Sequence, residues 1–233
     1  MKNSSPEFLP WGHHSPSALC QIIKFLTAIG LGRGKFTHNI YKLWLRLHGA
    51  TIDTSVRGIR YRLNITDNIT DKKILCSSRI YDQAELYFLK EVCHEGVFVD
   101  AGANIGYYSL FLAKTGAKTV LSIEPNPRTI KRLQFNIASN DFGNIIQVQS
   151  SGIGELGESF FNSNIDLGCA SIVDDQETGD FIKIKTKPLL QIVQEHGLQE
   201  ISGMKIDIEG HEDRALIPFL QHAPKELWPK RIV

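Results

Sequence analysis

With 233 residues, 42% of them hydrophobic, the chain has enough apolar material for one sizeable α/β domain with an extension, and too little for two large ones. Cys20, Cys76, Cys93 and Cys169 lie far apart with no C-x-x-C pair, which excludes an obvious zinc cage or disulfide framework and fits reduced thiols in a cytoplasmic protein. The formal charge of +1 is unevenly spread: residues 1–50 hold Lys2, Lys24, Arg33, Lys35, Lys42 and Arg46 against Glu7 alone, a local +5 that leaves −4 to the remainder.

Residues 1–17, with Pro6, Pro10 and Pro16, read as a loose leader. Helices are predicted over 16–32 and 39–48, the second from Ile40, Leu43, Trp44 and Leu47 at helical spacing. The apolar run from Ala18 to Leu31 contains Gln21 and Lys24 and is shorter than the roughly 20 residues a membrane span needs, so no transmembrane helix is expected. The basic "GLGRGK" after it is unlike a secretory cleavage site. From Ala50 to Ser78 the text alternates and is broken at Arg57-Gly58, which predicts a small β-hairpin region. A helix from Tyr81 to His94 follows, stopped by Gly96. The expected organisation is a basic helical extension over 1–49 and the main domain over 50–233.

After Gly96 strands and helices alternate, with strands at 97–100, 119–124, 145–149, 203–208 and 230–233 and helices near 106–114, 128–139, 188–195 and 212–221. Apolar runs such as "VFV" between helical segments indicate a mostly parallel sheet covered on both faces. The polar stretch between Ser151 and Thr186 is expected to form a hairpin or long loop over the sheet edge.

In an open parallel sheet, ligands bind beyond the carboxyl ends of the strands. Asp100, Glu124, Ser151 and the Asp207–Glu209 stretch are all placed on that edge. In "VDAGANIGYYS", Gly102 and Gly106 allow a tight turn, and Asn104 tolerates a left-handed backbone. The turn is D-x-G-x-N-x-G, and its missing central glycine counts against a pyrophosphate. Glu124 stands 22 residues after Gly102, where an acid can accept both hydroxyls of an adenosine ribose. That spacing alone fits a nicotinamide or a sulfonium cofactor; Asp100, able to orient a cationic amino-acid end, favours S-adenosylmethionine.

Taken together, "VDAGANIGYYS", "IEPNP" with "NIASN" after it, and "KIDIEGHE" resemble the FkbM family of S-adenosylmethionine-dependent methyltransferases, over about Ala50 to Leu216. The resemblance implies the Rossmann-like class I methyltransferase fold. It places Asp100, Gly102, Asn104, Gly106 and Glu124 at the cofactor, with Ser151 at the same edge, and "KIDIEGHE" beside the transferred methyl. Asp207 is the candidate nearest the reacting centre, with Glu209 or His211 as base. Asp207 and Glu209 could instead hold Mg²⁺, with Asp174 and Asp175 as remote partners, but no metal is assigned.

The implied activity is O-methylation of a small-molecule or glycan hydroxyl. The alternatives are an NAD(P)-dependent oxidoreductase and a truncated, inactive cofactor-binding module, since only five of the seven strands usual in this fold are legible and the C-terminal strands are expected to be missing. No nucleic-acid partner is expected, because aromatic interleaving is slight and the catalytic part is net acidic. The basic N-terminal segment is a candidate for peripheral membrane contact.

Overall fold

The computed structural model describes residues 9–28, 35–76, 81–162, 172–173 and 181–233. The chain divides into two compact units, Met1–Gln83 and Ala84–Val233, so that the hairpin region groups with the N-terminal helices.

The first unit contains α1 (Ala18–Ala28), α2 (Lys35–His48), the antiparallel strands β1 (Thr51–Val56) and β2 (Ile59–Asn64), and α3 (Ile69–Cys76). Arg57 and Gly58 both have positive φ (53° and 72°), the two-residue turn whose twist matches a hairpin. The expected loose leader is, over residues 9–15, pinned to this hairpin. Arg62 pairs with Asp53 at 2.7 Å and donates from Nη1 to the Leu9 carbonyl (2.7 Å) and from Nη2 to the Pro10 carbonyl (2.9 Å). Asp53 Oδ2 accepts the backbone N–H groups of Gly12 and His14. A buried ion pair survives only when its remaining donors and acceptors are met, and the leader's backbone meets them. Helix α3 was not expected within the hairpin region; Asn68 Oδ1 accepts the Thr70 N–H at 2.9 Å, and this local cap turns the chain into a helix where alternation suggested strand.

The second unit begins with α4 (Gln83–Cys93) and then runs β3 (Val97–Ala101), α5 (Tyr107–Lys114), β4 (Thr119–Ile123), α6 (Pro127–Ser139) and β5 (Ile146–Gln149). After the short strands β6 (Gly152–Ile153), β7 (Gly157–Asn162), β8 (Ile172–Val173) and β9 (Phe181–Lys187) come α7 (Leu189–Glu195), β10 (Gly203–Ile206), α8 (Glu212–His222), a 3-10 turn at Lys225–Leu227 and β11 (Arg231–Ile232).

Five strands form a wholly parallel sheet in the order β11-β10-β3-β4-β5. Counted along this sheet the order is 5-4-1-2-3, that of a Rossmann-like α/β fold, with its topological switch between β3 and β10. Phe98, Val99, Val120 and Leu121 are buried, as the continuous apolar runs require when both faces are covered by helices. One face packs Val99, Leu121 and Met204 against Ile192, Val193 and Phe219 of α7 and α8.

The stretch expected to be a hairpin or long loop contributes a second sheet of order β6-β9-β7-β8, in which β7 runs antiparallel to both β9 and β8 while β6 runs parallel to β9. Asp174 and Asp175 lie outside the described residues. Among the described residues no group of three or more His, Cys, Asp or Glu is placed to hold a metal ion, and no helix is long and apolar enough to cross a membrane.

Candidate functional site

β3, β4 and β10 end in register, so the residues just past their last hydrogen bonds meet at one edge. β4 ends at Ile123 and leaves Glu124 beyond it; β10 ends at Ile206, earlier than the expected 208, which frees Asp207 and Glu209 from strand alternation.

Asp100 is 1% exposed, its carboxylate lying under the turn. Its Oδ2 accepts from the Ser109 N–H at 3.1 Å and from Ser109 Oγ at 2.5 Å, tying the end of β3 to the first turns of α5. Its Oδ1 is buried without a hydrogen-bond partner and has Lys205 Nζ 3.9 Å away. Burial pushes the Asp100 carboxyl above its ordinary value, against the pull of Lys205 and the two Ser109 bonds.

The glycines of the turn sit closely against the neighbouring segments. Gly102 has φ +80°, and a Cβ there would lie 2.0 Å from the Asp207 carbonyl oxygen. Gly106, at φ +92°, sits as N-cap of α5, where a Cβ would come within 2.6 Å of Leu133 Cδ1 on α6. Asn104 adopts φ +51°, the left-handed conformation its side chain tolerates.

Glu124, 6% exposed, closes the turn from the other side. Its Oε2 accepts the Asn104 N–H and its Oε1 accepts the Asn126 N–H, both at 2.9 Å. Each carboxylate oxygen has two lone pairs, so each keeps one for a ligand hydroxyl. Asn126 in turn caps α6 by accepting from the Arg128 N–H, with Pro127 in the first helical position. Burial drives the Glu124 carboxyl up to about 7, despite the two backbone donors and the Lys205 charge. Ser151 is buried and its Oγ accepts from Gln149 Nε2 at 3.0 Å, with β6 beginning at the next residue.

Across the switch point, the "KIDIEGHE" stretch folds as a tight turn. Glu209 (φ +56°) and Gly210 (φ +91°) are both left-handed, and Glu212 Oε1 accepts the N–H groups of Ile208 (2.9 Å) and Gly210 (3.2 Å) that flank Glu209. Asp207 and Glu209 are exposed, and His211, the N-cap of α8, is half-buried. Burial, with the charges of Asp207 and Glu212 nearby, raises the Glu209 carboxyl.

Sequence reasoning grouped Lys205 with Asp207, Glu209 and His211 without giving it a role of its own, and did not name Ser109. Lys205 is 8% exposed; its Nζ donates to the Gly102 carbonyl at 2.8 Å, lies 3.4 Å from Asp207 Oδ2 and sits 5.6 Å from the Tyr108 ring centre. One cation thus joins the turn after β3 to the end of β10. Its place in the first position of "KIDIEGHE" was the available signal; for Ser109, nine residues after Asp100, no spacing rule points to the contact.

These residues suit an adenosyl cofactor: a buried acid with one free acceptor position on each oxygen, and a second acid held between strand and helix under the same turn. Among solved structures, the chain is similar to a putative transferase from Pyrococcus horikoshii at 22% identity and TM-score 0.39, covering 50% of this chain and 48% of that one. The chain therefore spans about half the length of that protein. A SAM-dependent methyltransferase from Agrobacterium tumefaciens matches at 13% identity and TM-score 0.40, covering 68% of this chain and 40% of that one. The M. jannaschii TYW2 structure in complex with AdoMet matches at 24% identity and TM-score 0.34, covering 43% of each chain. No curated protein matches. The model of the methyltransferase FkbM domain matches residues 100–228, from Asp100 near the end of β3 to beyond α8, and the chain belongs to this family.

Proposed function

We propose that the protein binds S-adenosylmethionine at the edge formed by Asp100, Asn104 and Glu124, and transfers its methyl group to a hydroxyl of a small molecule or glycan. The observation that carries this reading is Glu124, buried, fixed by two backbone N–H groups and left with one lone pair on each oxygen. The bound cofactor supplies a methyl group already activated by the sulfonium. The chain's own part is to hold the ribose at Glu124, to keep water away with the walls of the switch-point crevice, and to take up the acceptor's proton.

Glu209 suits the last task better than Asp207. Asp207 already faces Lys205 Nζ, 3.4 Å from its Oδ2, whereas the surroundings of Glu209 favour its protonated form. Asp207 and His211 then flank the acceptor hydroxyl.

Titration calorimetry with S-adenosylmethionine and with NAD tests the cofactor. Saturable binding of the first alone is expected, and binding of NAD alone overturns the reading. A methyl-transfer screen over hydroxylated metabolites and glycans identifies the acceptor. With it, Glu209→Gln should slow turnover with cofactor affinity unchanged, while Glu124→Ala should weaken cofactor binding.

A further inference from the structure

Over residues 18–25, helix α1 turns a lysine inward and three large apolar side chains outward. A helix on a protein in water normally buries its apolar stripe and leaves its lysine in solvent. Here Cys20 is buried, and Lys24 turns inward, its Nζ donating to Thr54 Oγ1 at 2.5 Å and to the Ser55 carbonyl at 3.1 Å on β1. Leu19, Ile22 and Phe25, three residues apart and therefore on one stripe, stand 53%, 56% and 64% exposed. On α2, which packs against α1, Trp44 is buried while Leu43 and Leu47 are exposed together on one side. Lys42 and Arg46, each one residue before those leucines, are exposed too.

Charge decides what can cover this surface. From Phe8 to Ile52 the sequence contains no Asp or Glu. A second copy would bring like charges face to face. A nucleic acid would satisfy the cations but leave Leu19, Ile22 and Phe25 in water. An anionic lipid surface takes both, with apolar side chains at the acyl boundary and cations among the phosphates.

We propose that the outer faces of α1 and α2 dock the protein on an anionic lipid bilayer through Leu19, Ile22 and Phe25, with Lys42 and Arg46 at the headgroups. The test is co-sedimentation of the full chain with vesicles of phosphatidylcholine containing about 30% phosphatidylserine, against phosphatidylcholine alone. Binding to the anionic vesicles that weakens as salt is raised is expected. Replacing Lys42 and Arg46 by Ala should weaken the partition roughly twenty-fivefold, from about a fivefold loss per cation. Leu19→Ser, Ile22→Ser and Phe25→Ser combined should weaken it by more, on the order of a hundredfold.

All five side chains are exposed, so unchanged circular dichroism and thermal midpoints serve as the folding control. Leu156→Ser, an exposed apolar change in the other unit, should leave binding intact. No association with anionic vesicles, equal association with neutral ones, or indifference to the serine substitutions overturns the proposal. So does competition by a DNA oligonucleotide that equally survives those substitutions, or a serine-sensitive dimer formed without lipid.

Discussion

Replacing Glu124 by Gln separates the charge of this residue from its shape. In the native fold its carboxyl is raised from 4.5 to about 7, mainly by burial. The folded chain therefore holds the proton more tightly than the unfolded chain, so the stability contributed is complete below about pH 4.5 and is lost as pH rises through about 7. At about 1.4 kcal/mol per pH unit this amounts to about 3 kcal/mol. Glutamine has nothing to titrate and is close in shape to the protonated carboxyl, which likewise presents one carbonyl oxygen to the two backbone donors. The variant should thus lie within about 1 kcal/mol of wild type near pH 5, and should gain about 2–3 kcal/mol on it on going to about pH 8. Urea unfolding of both proteins across this range reads the gap directly. Parallel stability curves would refute the argument, because they would mean that Glu124 does not titrate against a buried setting. The same reasoning predicts that ligand hydroxyls donating to the ionised carboxylate bind more tightly as pH rises toward 8.

Gly102→Ala places a methyl 2.0 Å from a backbone carbonyl at a positive φ, so it should cost more than about 4 kcal/mol and lower the yield of folded protein, measured by denaturant unfolding. Arg62→Met strips the buried Asp53 of its cation and should destabilise by about 3–5 kcal/mol, while opening the 9–15 segment to limited proteolysis. Glu212→Ala removes the acceptor that holds Ile208 and Gly210 and should cost about 1–3 kcal/mol, whereas Glu212→Gln keeps an oxygen there and should cost less than 1 kcal/mol by roughly the same measure.

The parallel sheet was legible because strands buried on both faces are written as unbroken apolar runs, and "VFV" and "TVLSI" have few other uses. Its edge residues followed, since an acid closing such a run marks the carboxyl end of the strand, as Glu124 does just beyond β4 and Asp100 does one residue before the end of β3. What escaped was set by contacts distant in sequence. Arg62 fixes Leu9 and Pro10 from more than fifty residues away, which no local composition rule reports, and prolines alone suggested a loose leader. The role of Lys205 depends on β10 lying beside β3, where its amine meets the Gly102 carbonyl. Helix α3 was lost to a window in which alternation continued; Asn68 followed two residues later by Thr70, and Asp71 in the first turn, were the overlooked marks of a helix start.

The contact of Gly102 with the Asp207 carbonyl leaves no slack between the turn that follows β3 and the one that follows β10. Lys205 ties the same two segments with a hydrogen bond. Neither can be displaced alone, so whatever settles one turn also settles the other. Occupants of the two halves of this crevice would then help each other to bind, by equal factors in either order of arrival.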